Sequence, residues 1–201
     1  MKRKILCLFI FTMVFAAGVV QVNAGDFWLA LQGGHFNPTE QAFKNIYGGG
    51  VTYGGELGVD LYKWLSLWAG GGFFFKTGEL SYTKEETKLK MSHLEIGVRF
   101  KLPLKRFIPY IGGGAGICRF KENNIIGEAR DNEGSFFGQA GILVGVNKWL
   151  FFDLRVNYNH CMIKPEFLEF NIGGICASAG IRIYLLKLLG KEKKKKVWDV
   201  Y

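Results

Sequence analysis

The sequence predicts an all-β protein, an eight-stranded antiparallel up-and-down transmembrane β-barrel, and three observations carry that expectation. Apolar and polar residues alternate with a period of two in segment after segment, as in strands whose two faces meet different surroundings. No stretch of the body has 18 uncharged apolar residues, so helices are excluded as the spanning elements. Short connections alternate with longer, more polar ones, the layout of a barrel with tight turns on one rim and loops on the other.

The first 24 residues read as a segment apart from the barrel. Lys2, Arg3 and Lys4 form a basic start, residues 5–20 are apolar, and Val22, Asn23 and Ala24 supply a small-x-small cleavage pattern. Residues 1–24 are therefore expected to be a signal peptide, 25–186 the barrel domain, and 187–201 a basic tail on the periplasmic side. The whole chain carries +9, but three of those charges lie in the signal and a net four in the tail, leaving a body of +2. A near-neutral body excludes a nucleic-acid partner, which needs a basic face rather than a basic end. The KEKKKK run at 191–196 reads as a solvated end.

Eight strand segments follow, at about 26–36, 49–61, 65–76, 88–102, 108–121, 134–147, 150–162 and 169–186. Each has the nine to eleven residues that a tilted strand needs to cross a bilayer, with some overhang. In the second, Val51, Tyr53, Leu57, Val59 and Leu61 share one face, while Thr52, Glu56 and Asp60 share the other with glycines. In the fourth, Leu94, Ile96, Val98 and Phe100 oppose His93, Glu95, Arg99 and Lys101. In the seventh, Phe152, Leu154, Val156 and Tyr158 oppose Asp153, Arg155, Asn157 and Asn159. In the eighth, Ala179, Ile181, Ile183 and Leu185 oppose Ser178, Gly180, Arg182 and Tyr184. The fifth is irregular, because Arg119 shares the parity of Ile111, Ala115 and Ile117. It requires either a bulge or a position above the membrane for Arg119.

The links near 61–65, 102–108 and 147–150 are tight, whereas 37–48, 77–87, 122–133 and 163–168 read as loops. Tyr62, Trp64, Phe107 and Trp149 at the tight links suit an interfacial aromatic girdle. A soluble barrel would turn its apolar face inward. Here the polar face is crowded with glycine, as a narrow interior requires, and the opposite face would leave a soluble protein with a bare apolar exterior.

The segments GGELGVDLYKWLSLWAGGGFFF (54–75), FIPYIGGGAGICRFK (107–121) and GQAGILVGVNKWLFFDLRVNY (138–158) resemble the small outer-membrane barrels of the OmpA, OmpX and OmpW type. The resemblance spans the mature chain as a pattern rather than as one diagnostic motif. It implies the bacterial outer membrane as the location, membrane lipid and lipopolysaccharide as surroundings, the barrel assembly machinery as a partner, and a monomer. SAGIRIYL (178–185) is similar to the closing strand that such machinery reads, although some 16 residues follow it here.

On the inward face, Glu56, Asp60, Glu95 and Asp153 stand against Arg99, Arg155 and Arg182. Charges in so narrow a lumen have little water to solvate them and should pair across it. These seven residues are the candidate site, as a structural ion-pair network closing the lumen. A structural or surface-interaction role is the leading functional expectation. A narrow channel or carrier for small apolar molecules, as in the OmpW type, is the alternative, and a lipid A-modifying enzyme a distant third. For that third reading His160 lies on the outward face near the loops, with Glu166 close in sequence. Met162 stands where a serine nucleophile would be needed. No catalytic residue, cofactor or metal is expected: His35 and His93 are isolated, and Cys118, Cys161 and Cys176 have no metal-ligand spacing. The glycine runs at 48–50 and 112–114 lack the Lys-Ser/Thr and helix of a phosphate loop.

Overall fold

Alternation against lipid leaves the backbone few choices, because every buried N–H and C=O needs a partner and only a sheet closed on itself supplies one to every strand. The structure, a computed structural model, describes residues 25–79, 86–104, 106–124, 127–163 and 170–185. The expected signal peptide and basic tail lie outside the described residues, as does Glu166. The elements in chain order are β1 (Asp26–Pro38), α1 (Gln41–Tyr47), β2 (Gly50–Tyr62), β3 (Leu65–Glu79), β4 (Glu86–Lys101), β5 (Phe107–Asn124), β6 (Gly127–Gly145), β7 (Leu150–Ile163), β8 (Phe170–Asn171) and β9 (Gly174–Tyr184).

Eight of the strands form a closed, all-antiparallel ring. Each of β1 to β7 pairs with its successor, β7 pairs with β9, and β9 returns to β1. The two-residue β8 only extends the end of β7. Parity sorts the residues between the two surfaces of this wall. On β4, Ile96 is 67% exposed and Leu94 62%, while Glu95 is 8% exposed and Arg99 fully buried. Glycine on the inward face makes room for large neighbours. A Cβ on Gly58 would collide with the Trp28 indole, and one on Gly97 would stand 2.9 Å from Phe137 Cζ.

Several boundaries depart from the sequence expectation. β6 starts at Gly127, so most of the expected loop at 122–133 is strand, hydrogen-bonded to β5 up to the pair Asn124 and Gly127. Above the lipid both faces of a hairpin can be polar, and the apolar alternation that marks a strand disappears there. The eighth segment is broken at Ile172 and Gly173, where Asn171 accepts hydrogen bonds from the Cys161 and Gly173 backbones at 3.1 and 2.9 Å. The first long connection contains α1, seven residues that are too few to declare a helical period. β5 has no register break against either neighbour, and Arg119 is an exposed residue on the outward face.

Candidate functional site in the barrel lumen

Seen from the short-turn end upward, the lumen is filled in layers. The first gathers on Asp60 of β2. Its carboxylate accepts hydrogen bonds from Ser66 Oγ at 2.7 Å, Tyr184 Oη at 3.0 Å and Trp28 Nε1 at 3.1 Å, and it forms a salt bridge with Lys101 of β4. The second centres on Asp153 of β7, which accepts from Tyr110 Oη at 2.6 Å and from Arg182 of β9 at 2.8 Å.

The third layer spans the barrel. Glu56 of β2 is held by Arg99 of β4 at 3.2 Å and by Arg155 of β7. Gln139 of β6, on the far side of the ring from β2, accepts from the same two guanidinium groups at 3.3 and 3.1 Å. The remaining edges of the arginines lie against aromatic faces. Arg99 Cζ is 4.5 Å from the Tyr110 ring centre and 5.2 Å from that of Trp68, and Arg182 Cζ is 4.0 Å from that of Trp28. Such stacking partly replaces the hydration that burial removes.

Glu95 stands higher, accepts from Asn159 Nδ2 at 3.0 Å, and forms no salt bridge among the described residues. It lines a chamber of about 70 Å³ together with Gln32, His93, Ser135 and Asn159. Phe36, Trp68, Phe74, Met91 and Phe137 line the same chamber, so its wall is mixed, with polar groups and apolar side chains facing one space.

Above the chamber the filling changes character. Phe36, Phe74, Leu89, Met91, Phe120, Ile163 and Ile172 form an apolar cluster, onto which α1 folds back with Phe43 and Tyr47. Phe36 and Phe74 meet edge-on at 5.2 Å between ring centres. The Tyr47 hydroxyl lies 3.3 Å from Thr87 Oγ1, which donates to Glu122 at 2.8 Å, and burial holds the Tyr47 phenol well above its usual pKa range. Cys118, Cys161 and Cys176, far apart in sequence, are all free thiols buried in this cluster.

The structure thus brings Glu56 together with Arg99 and Arg155, and Asp153 with Arg182. Asp60 meets Lys101 rather than an arginine, and Glu95 stands apart from these pairs. Sequence reasoning missed Gln139, Tyr110, Trp28 and Trp68 as partners. Inward parity alone could have nominated them once the register of β5 and β6 was known. His160 is exposed on the outward face with its Nδ1 3.2 Å from Asn171 Nδ2, and Met162 follows it on the same face. No cluster among the described residues has the make-up of a metal site.

Comparison with known proteins agrees with this architecture. A family model described as outer membrane protein beta-barrel domain matches residues 6–181. Among solved structures, Neisserial surface protein A is 14% identical, with 81% of this chain and 99% of that chain covered and a TM-score of 0.65. OprG from Pseudomonas aeruginosa is 13% identical, with 80% and 95% covered and a TM-score of 0.66. The N-terminal β-barrel domain of OprF from Pseudomonas aeruginosa is 13% identical, with 80% and 98% covered and a TM-score of 0.53. At these identities the likeness is one of fold. No curated protein matches the chain.

Proposed function

The chain belongs to the family of outer membrane protein β-barrel domains and is a bacterial outer-membrane protein, and from that premise we propose a closed barrel with a structural or surface-interaction role. The observation that carries this reading is the layer on Glu56. One carboxylate from β2 is bound by arginines from β4 and β7, and both arginines reach Gln139 on the opposite wall. A solute crossing the lumen would have to part these groups in a site with little water. Leaving one such buried charge without its partner costs about 3–5 kcal/mol. The apolar cluster under α1 is a second obstruction on the same path.

The carrier reading has that apolar cluster in its favour, since small apolar molecules could dwell there. It also needs a lateral way out through the wall. The ladders that would have to part run unbroken, with β9 paired to β1 from Tyr184 to Gly174 and to β7 from Ile183 to Gly174. The closed reading therefore ranks first, and it assigns the wall and the outer connections, not the lumen, to contacts with the surroundings. It gives His160 no reaction to perform, because Met162 offers no nucleophile.

Sugar-driven swelling of proteoliposomes tests the proposal. Vesicles carrying the folded barrel should swell no faster than protein-free vesicles. Swelling at a rate that scales with the amount of barrel would favour a channel instead.

A further inference from the structure

Outward-facing Lys and Arg on the strands occur, among the described residues, only on β4, β5 and β6: Lys88, Lys90, Arg119, Lys121 and Arg130. The outward faces of β1, β2, β3, β7 and β9 have none. Alternation sorts the charges of the β5–β6 hairpin. Its acids Glu122, Asp131 and Glu133 take the parity of the buried Phe120 and Ser135, while its cations take the opposite one together with Glu128.

The ladder packs these cations closely. Phe75, Lys90, Lys121 and Arg130 stand in one cross-strand row, with Ser92, Arg119 and Asn132 in the next outward row toward the membrane. Like charges directly opposed across a ladder weaken it, so Lys90 beside Lys121 is costly unless an anion lies on both. Among the described residues, two carboxylates supply part of that anion. Glu128 pairs with Lys121 at 3.0 Å and with Arg130, and Glu86 pairs with Lys88 at 3.2 Å. Among the described residues, five outward cations stand against the two carboxylates Glu86 and Glu128 on this side of the barrel. Lys90 has the ring of Phe75 at 5.5 Å for company.

The place of this face says what it meets. Phe73 continues the second row beside Ser92, and below it Ile117 and Phe136 are exposed as part of the apolar band. By parity the cations point outward from the wall, just above this band on the side of the long connections. We propose that the β4–β6 face binds the phosphate groups of lipopolysaccharide in the outer leaflet, with Lys90, Arg119 and Lys121 as its centre. This rests on the outer-membrane location and on the long-connection end lying outward, and it is independent of whether the lumen conducts.

Thermophoresis of the folded protein in zwitterionic micelles, with divalent cations chelated, provides the test. The probes are lipopolysaccharide with its phosphates, the same lipid dephosphorylated, and a soluble sulfated polysaccharide. Each cation at a charged lipid surface is worth about fivefold in affinity, so combining Lys90→Gln, Arg119→Gln and Lys121→Gln should weaken binding about 100-fold. Lys44→Gln on α1 should leave it unchanged, and dephosphorylated lipid should bind the wild type as weakly as phosphorylated lipid binds the triple variant. Heat-modified gel mobility reports folding. Where the triple variant fails to fold, Lys90→Gln alone should show the fivefold loss. Equal affinity for the two lipids, or an unaffected variant, would overturn the proposal. Tighter binding of the sulfated polysaccharide than of lipopolysaccharide would reassign the face to a soluble polyanion.

Discussion

Toward the short turns the lumen is filled by charged side chains that pair across it, whereas toward the long connections it is filled by apolar ones. The lower filling is borne entirely by strands: Asp60 and Glu56 on β2, Arg99 and Lys101 on β4, Asp153 and Arg155 on β7, and Arg182 on β9. Its contacts are directional and exist only when the ring is closed in register. The upper filling draws part of its surface from connections, with Phe43 and Tyr47 on α1 and Ile172 between β8 and β9. Apolar packing has no direction to lose, and an element in a connection can lift without parting a ladder. The lower half should therefore report on the whole fold and the upper half on a local opening.

The largest effect separating the halves is expected at Arg182. Arg182→Met leaves Asp153 buried with only the Tyr110 hydroxyl and should lower stability by about 3–5 kcal/mol in urea unfolding from lipid vesicles. A loss well under 1 kcal/mol would mean that Asp153 finds water, and the lower lumen would then be wetter than its geometry says. A smaller global effect is expected from the upper half. Phe43→Ala removes a buried ring, a change that costs about 3–5 kcal/mol in a cooperative core. If α1 opens locally, the urea midpoint should hardly move while tryptic cleavage after Lys44 speeds up. A full core-sized loss would erase the distinction between the halves. The smallest effect belongs to Ile181→Met, beside Arg182 but facing lipid, which should stay within about 0.5 kcal/mol of wild type. A damaging Ile181→Met with a silent Arg182→Met would reverse the inside and outside of β9, since one residue of register exchanges the faces.

How far the fold could be read in advance depended on what each stretch of chain touches. Lipid demands an apolar residue at every second position, so Leu94, Ile96, Val98 and Phe100 declare their face and leave Glu95 and Arg99 the other. Beyond the lipid that demand lapses, and the strand from Gly127 to Gly134 has the composition of a loop. α1 escaped notice because QAFKNIY completes barely two turns, and its two buried rings acquire meaning only from the barrel mouth beneath them. For the site, parity could say which charged residues share the lumen but not which of them meet. Pairing depends on the stagger of strands around the ring, a quantity no single strand encodes. That stagger delivers Lys101 to Asp60 and Asn159 to Glu95, and it places Gln139 between two arginines from other strands.

Single-channel recording of the folded barrel in a planar bilayer addresses the closed lumen most directly. The wild-type barrel should pass no steady current. Combining Glu56→Gln with Phe43→Ala, which weakens the polar layer and the apolar cluster together, should produce brief openings. Steady ohmic steps through the wild-type barrel would contradict the account.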